Sequence, residues 1–199
     1  ILGDDFNFHG SDGNFYVGDT RWHSDGYDKH PQYTSIKIAF YLDPVTRNTG
    51  CLRVIPGSHK LHDGFSEALQ KVTYSSETTI KESWGIQGEE VPSVALESTP
   101  GDVVMFNHRI KHSSWGGNDR RRMFTMNFQE RFAKEHIEEL REDIAAGARF
   151  WNDEPYGKIM VKTATKARMV HLEQHLANSD HLPSLAKKAR REMSEPSRS

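Results

Sequence analysis

"TPGDVVMFNHRIKHSSWGGNDRRRMFTMNF", residues 99–128, is the stretch on which the fold turns. Pro100-Gly101-Asp102 reads as a turn, and the apolar, β-branched run that follows (102–107) reads as a strand, with His108 and His112 beyond its far end. Gly116-Gly117-Asn118 makes a second turn, and the basic cluster Arg120, Arg121 and Arg122 opens another strand at 123–128. Period-two alternation puts Arg122, Phe124, Met126 and Phe128 on one face of that strand, and Arg121, Met123, Thr125 and Asn127 on the other. The same texture extends upstream. Runs at 14–20, 35–42 and 51–55 alternate with turn signals at Asp12-Gly13-Asn14, Asp43-Pro44, Asn48-Thr49-Gly50 and Pro56-Gly57. Short strands at such spacing predict a mainly β domain, a sandwich or a barrel.

Beyond Gln129 the pattern changes. Ala133, Ile137, Leu140 and Ile144 recur at helical spacing, and a second helical pattern covers 163–177. Residues 1–130 are therefore expected to form the β core and 131–199 a helical extension of the same domain, with the last dozen, charged and rich in Ser and Pro, frayed. The stretch 73–98 is polar and weakly periodic, and reads as a long loop of the kind that serves as a lid.

The 199 residues suffice for one real core. A net charge of −2, from 26 basic and 28 acidic side chains, argues against a nucleic-acid partner. No run approaches the ~20 apolar residues of a membrane span. The single cysteine, Cys51, excludes a disulfide framework and a Cys-rich zinc site; it fits a reducing compartment, and the chain reads as cytoplasmic, a monomer or homodimer.

"GDTRWHSDGYDKH" (18–30) carries the first chemical signal. His23 and Asp25 are two residues apart at the end of a predicted strand, where such residues share a side. With eleven histidines in the chain, a lone His-x-Asp is weak evidence. Joined by one distant histidine, His108 or His112, it has the composition of the two-His-one-carboxylate triad that holds Fe(II) and leaves positions open.

These residues, with two further segments, resemble the phytanoyl-CoA dioxygenase family of Fe(II)/2-oxoglutarate oxygenases. The segments are "WHSDG" (22–26), "DPVTRNTGCLRVIPGSHK" (43–60) and "PGDVVMFNHRIKHSS…RRRMFTMNF" (100–128), in the family's order and spacing. The second is the most telling, since it is the family's signature hairpin and no ligand motif. The resemblance covers about residues 10 to 130. It implies a double-stranded β-helix, the cupin-like jelly roll, and Fe(II), 2-oxoglutarate and O2 as cofactors. It further implies oxidation of a C–H bond in a small-molecule substrate, with succinate and CO2 as co-products. His23, Asp25 and His112 are its implied iron ligands and catalytic centre. His112 is preferred to His108 because it stands in the family's His-x-Ser position, and Ser114 matches a position that binds the co-substrate. Related halogenases have Gly or Ala in place of the carboxylate, so Asp25 speaks against halogenation. In one respect the chain departs from the family, whose members carry further residues before the His-x-Asp strand.

2-Oxoglutarate needs a cation for its far carboxylate, and a guanidinium fits it bidentately. Strand parity favours Arg121 over Arg122, because its face is the more polar, and the family's pattern gives the same answer. In "SIKIAFYL" (35–42), Ile36, Ile38, Phe40 and Leu42 form an apolar face. Opposite them, Lys37 and Tyr41 point either to solvent or into a polar lumen; the lumen is preferred, with either residue contacting 2-oxoglutarate or the substrate. His171 and His175, at i and i+4, lack a convincing third ligand and read as a packing or exposed pair, and Trp84 and Trp115 are candidates for the mouth of the site. A binding module with a vestigial metal site is the alternative from another class, and an iron enzyme that does not use 2-oxoglutarate is a third reading.

Overall fold

Proline, glycine and the Asx/ST turns cut the first two thirds of the chain into short β-branched and aromatic runs, and in the computed structural model these become strands. The structure describes residues 1–73, 85–117 and 121–197. Its strands are β1 (Asn7–Tyr16), β2 (Thr20–His23), β3 (Ser35–Tyr41), β4 (Leu52–Val54), β5 (Val94–Leu96), β6 (Val104–Asn107), β7 (His112–Ser114) and β8 (Arg121–Gln129). They form two four-stranded sheets, ordered β1-β8-β3-β6 and β2-β7-β4-β5. Pairs from opposite ends of the chain are thus neighbours, and the chain passes between sheets as it winds. This is the double-stranded β-helix, mainly β with helices following.

The chain divides into two compact units. One is Ser11–Asn127. Its core draws Ala39 and Tyr41 from β3, Leu52 and Val54 from β4, and Val104 and Phe106 from β6, with Val45 and Cys51 from the connections. β3 therefore turns its Lys37–Ala39–Tyr41 side inward, while Leu42 and, on β6, Met105 remain exposed. On β8 parity holds too: Arg121 and Thr125 are buried, Arg122 and Phe124 exposed. A second cluster joins Trp22, Ile55 and Val91, with Leu69 and Trp115 against it, and the Trp22 indole N–H donates to the Gly88 carbonyl at 2.8 Å.

The structure departs from the sequence pattern in several places. The run 14–20 is not one strand but the end of β1 and the start of β2, broken at 17–19. β5 and β7 have no counterpart in the pattern; three residues are too few for alternation to register, and pairing on both flanks holds β7 in place. Nor has α1 (Gly64–Thr73), though Asp63 caps it by accepting from the Ser66 N–H at 3.1 Å. The stretch expected to be a lid is partly framework: it contributes Gly88–Glu90, a 3-10 turn, the buried Val91 and β5. Its part at 74–84, including Trp84, lies outside the described residues, as does Arg120.

The other unit comprises Ile1–Gly10 and Phe128–Ser199. The first ten residues thus belong with the helices rather than the β core. Gln174 ties the unit together: its carbonyl accepts from Asn7 Nδ2 at 2.7 Å and from Phe132 N at 3.1 Å, while its amide donates to Phe132 O at 2.8 Å. The helices are α2 (Ile137–Ala145), α3 (Lys158–Lys162), α4 (Lys166–Met169), α5 (Glu173–Ala177) and α6 (Leu182–Glu192). The expected helix at 163–177 is thus two short ones. The first part of the tail expected to fray, 188–192, is instead the end of α6, which buries Leu182 and Ala186 further up and whose Arg190 grips Asp153 with two 2.7 Å bonds. No helix among the described residues is long and apolar enough to cross a membrane.

Candidate metal centre

The site is built where β2 meets β7. Their antiparallel register pairs His23 with His112 and Thr20 with Ser114, with an irregularity between the two pairs. Two residues of β2, Arg21 and Trp22, there oppose one of β7, Ser113, a bulge of the kind that re-aims side chains beside functional sites. His23 and His112 face each other with ring centroids 4.2 Å apart. Asp25 is not on the strand; it lies in the bend after β2. Its backbone N–H donates to the His108 carbonyl at 2.9 Å, His108 N–H donates to Ser35 O at 3.0 Å, and the Ser24 hydroxyl donates to Arg109 O at 2.9 Å. That bend brings one ligand atom from each of His23, Asp25 and His112 within 4.8 Å of one another.

Both imidazoles are oriented for ligation. His23 Nδ1 lies 2.7 Å from Arg21 O and His112 Nδ1 lies 3.0 Å from Ile110 O. A carbonyl only accepts, so each Nδ1 carries the proton and each Nε2 presents a lone pair. The two Nε2 atoms stand 3.8 and 3.9 Å from the Asp25 oxygens. Burial pushes His112 down to about 3, aided by His23, so its ring is neutral at neutral pH, as a ligand must be. Burial works to raise the Asp25 carboxyl, but His112, Lys37 and His108 outweigh it and hold the group well below the usual carboxylate range. Since His112 is neutral, the cation that matters is Lys37, whose Nζ lies 2.8 Å from Asp25 Oδ2. Two imidazoles presenting Nε2 and one ionised carboxylate on a common point suit a divalent first-row metal. Among the described residues no other trio of His, Cys, Asp or Glu could hold a metal. His108 holds the Asp25 bend through its backbone and is not in the trio, and His171 bonds to Phe6 O while His175 is buried.

Arg121 is the second feature. Its side chain is 3% exposed, donates from Nη1 to Gly50 O at 2.6 Å and to the Ser114 hydroxyl, and lies 5.0 Å over the Tyr16 ring. Thr20 Oγ1 is 3.5 Å from Nη2. No carboxylate among the described residues forms an ion pair with it. A buried guanidinium whose hydrogen bonds go to neutral groups, with Asp19 acting on it only through its field, keeps its fork available to an incoming anion. Arg122, by contrast, is a half-exposed surface residue gripping Asp43 with bonds of 2.7 and 3.0 Å. Tyr41 is buried beside Arg121's field, and burial pushes its hydroxyl up to about 12. Thr20, Tyr16 and the Gly50 carbonyl are members of the site that sequence reasoning misses; only Gly50, in a turn, carries any signal there. Gly50 has φ +92°, and a Cβ on it would stand 2.8 Å from Arg121 Nη1, so the turn and the cup around the guanidinium need glycine together. Trp115 packs on the Trp22 cluster and donates to Ser113 Oγ at 2.8 Å.

Comparison with known proteins adds a family. The sequence model of the phytanoyl-CoA dioxygenase (PhyH) family matches residues 9–123, more than half of the chain. Dioxygenase lolE1 of Epichloe uncinata is 34% identical over 82 residues, covering 41% of this chain and 27% of that protein. Ectoine dioxygenase of Sphingopyxis alaskensis is 28% identical over 134 residues, covering 58% of this chain and 43% of that protein. The chain thus spans less than half the length of either relative. Among solved structures, EctD from S. alaskensis with 2-oxoglutarate and 5-hydroxyectoine aligns at a TM-score of 0.46 and 25% identity, over 65% of this chain and 46% of that one.

Proposed function

Because the chain belongs to the phytanoyl-CoA dioxygenase family, we propose that it is part or all of an Fe(II)/2-oxoglutarate-dependent oxygenase that oxidises a C–H bond of a small molecule, releasing succinate and CO2. The observation that carries the reading is the convergence of His23 Nε2, His112 Nε2 and an Asp25 oxygen within 4.8 Å. Both imidazole tautomers are fixed for ligation by backbone carbonyls. When bound, iron supplies the activation of O2 that protein side chains lack.

The chain's own groups bind, orient and shield. His23, Asp25 and His112 would hold the metal on one side, leaving the rest of its coordination shell to co-substrate and O2. Arg121 would take the far carboxylate of 2-oxoglutarate, with the Ser114 hydroxyl steadying both the guanidinium and the anion. Tyr41, buried and neutral, would line the same pocket and keep water from it. The substrate is proposed to be a small polar metabolite or natural-product intermediate.

Anaerobic titration of metal-free protein with Fe(II) and then 2-oxoglutarate tests this. A visible metal-to-ligand charge-transfer band is expected in the wild type and lost in His112→Ala. In Arg121→Met the Fe(II) site should remain while the band needs far more 2-oxoglutarate. No band in folded wild type would favour the vestigial module, and turnover indifferent to Arg121 would favour an iron enzyme that does without 2-oxoglutarate.

A further inference from the structure

We infer that Lys37 is a positioning residue for the metal: it holds one oxygen of Asp25 so that the carboxylate meets the ion through the other. The inference rests on the metal-centre reading above. It starts from placement. Lys37 is on β3, in register with Phe106 of β6, and its side chain is on the inward face shared with Ala39 and Tyr41. Two residues earlier, the Ser35 carbonyl accepts from His108 N–H, and the His108 carbonyl accepts from Asp25 N–H. The backbone that fixes the Asp25 bend is therefore hydrogen-bonded, through one residue, to the strand that carries the ammonium. The 2.8 Å Nζ–Oδ2 contact follows from that tether rather than from a free surface encounter.

The consequence is steric and electrostatic. An ionised carboxylate can chelate a metal through both oxygens or bind through one. Chelation would turn Oδ2 away from Lys37 and leave the ammonium, about one fifth exposed, without its partner next to a divalent cation. Oδ2 stands 3.9 Å from His112 Nε2 but is taken by Nζ, so Oδ1, 3.8 Å from His23 Nε2, is the oxygen left for the ion, and more of the coordination shell stays open. Hydrogen-bonding partners of metal ligands typically govern affinity roughly 10- to 100-fold. This gives Lys37 a role different from contact with co-substrate or substrate, the role expected for it from strand parity.

The test is Co(II) titration of metal-free wild type, Lys37→Met and Lys37→Arg, by calorimetry and by the visible Co(II) spectrum, with circular dichroism as the check on folding. Lys37→Met should bind Co(II) roughly 10- to 100-fold more weakly and with an altered spectrum. Lys37→Arg, which restores a cationic donor, should recover part of both. If Lys37→Met does not fold, a wild-type affinity and spectrum in Lys37→Gln would overturn the inference in its place. Cobalt binding as tight as wild type or tighter in Lys37→Met also overturns it, the ammonium then being a mere competitor for Asp25. So does a variant with wild-type Co(II) affinity and spectrum that loses affinity only for 2-oxoglutarate added to the Co(II) form. Wild type that binds no Co(II) would overturn the metal-centre reading itself, a result distinct from these.

Discussion

Replacing Lys111 with methionine should make this protein more stable. Lys111 immediately precedes His112, and its side chain is only 2% exposed. Its backbone is well used: N–H donates to Ser58 Oγ at 2.8 Å, and its carbonyl accepts from Ile55 N at 3.0 Å. Its ammonium is not. Burial pushes the amine down from 10.5 to about 8, with no neighbouring charge contributing to the shift. At ~1.4 kcal/mol per pKa unit, that depression corresponds to a cost of at most roughly 3–4 kcal/mol for keeping the group charged at neutral pH. Because the folded pKa lies below the unfolded one, the unfolded chain binds more protons between pH 8 and 10.5, and stability there rises with pH. Below pH 8 the whole penalty is present. Methionine is unbranched, fills a similar channel and carries no charge. Lys111→Met is therefore expected to gain about 1–3 kcal/mol at pH 7, a rise of several degrees in Tm for a chain of this size. The gain should shrink steadily as pH goes from 8 to 10. Urea unfolding followed by tryptophan fluorescence at pH 7 and 9.5 measures both effects. A variant less stable than wild type at pH 7, or a difference that does not change with pH, would refute the claim that burial penalises the charge on this lysine.

Gly50→Ala should disturb the Arg121 cup, because its Cβ would fall 2.8 Å from Nη1 on a backbone at φ +92°. Gly57→Ala is the control, with φ +84° and nothing within 4 Å; both should lose about 1–2 kcal/mol to backbone strain, but only Gly50→Ala should lose stabilisation by added 2-oxoglutarate in a thermal-shift assay. His175, in the helical unit, is pushed down to about 3 by burial and by His9. Since the unfolded imidazole protonates from pH 6.5 downward and the folded one only near 3, stability should fall as pH drops through that window. His175→Gln should flatten the acid limb measured by urea unfolding at pH 4, 5 and 6.5.

The parts of the fold legible in the sequence are those with local periodicity. β3 and β8 alternate over seven and nine residues, long enough for parity to say which side chains share a face. Parity alone separates Arg121 from Arg122, and the fold buries the first and leaves the second on the surface. β5 and β7 are invisible because three residues carry no period, and their strand character exists only through partners. The end of α6 reads as part of a loose tail because its sequence is dominated by charge; two small apolar contacts, Leu182 and Ala186, and the Arg190–Asp153 pair hold the helix.

By itself, then, the sequence determined the inventory: a His-x-Asp pair, a distant His-x-Ser, an arginine on the polar face of a strand, and the turns that make two sheets of short strands. It also carried the likeness to the family. What only the tertiary structure decided is which groups meet. Asp25 reaches the imidazoles from a bend fastened to His108, not from a strand end. Lys37 meets Asp25 rather than standing alone in the lumen, and Arg121 sits among Thr20, Gly50 and Ser114, drawn from three separate parts of the chain. The physical reason is that periodicity is a property of neighbours along the chain. Ion pairs and ligand geometry depend instead on the register between β2 and β7, whose paired residues His23 and His112 are brought together only by folding.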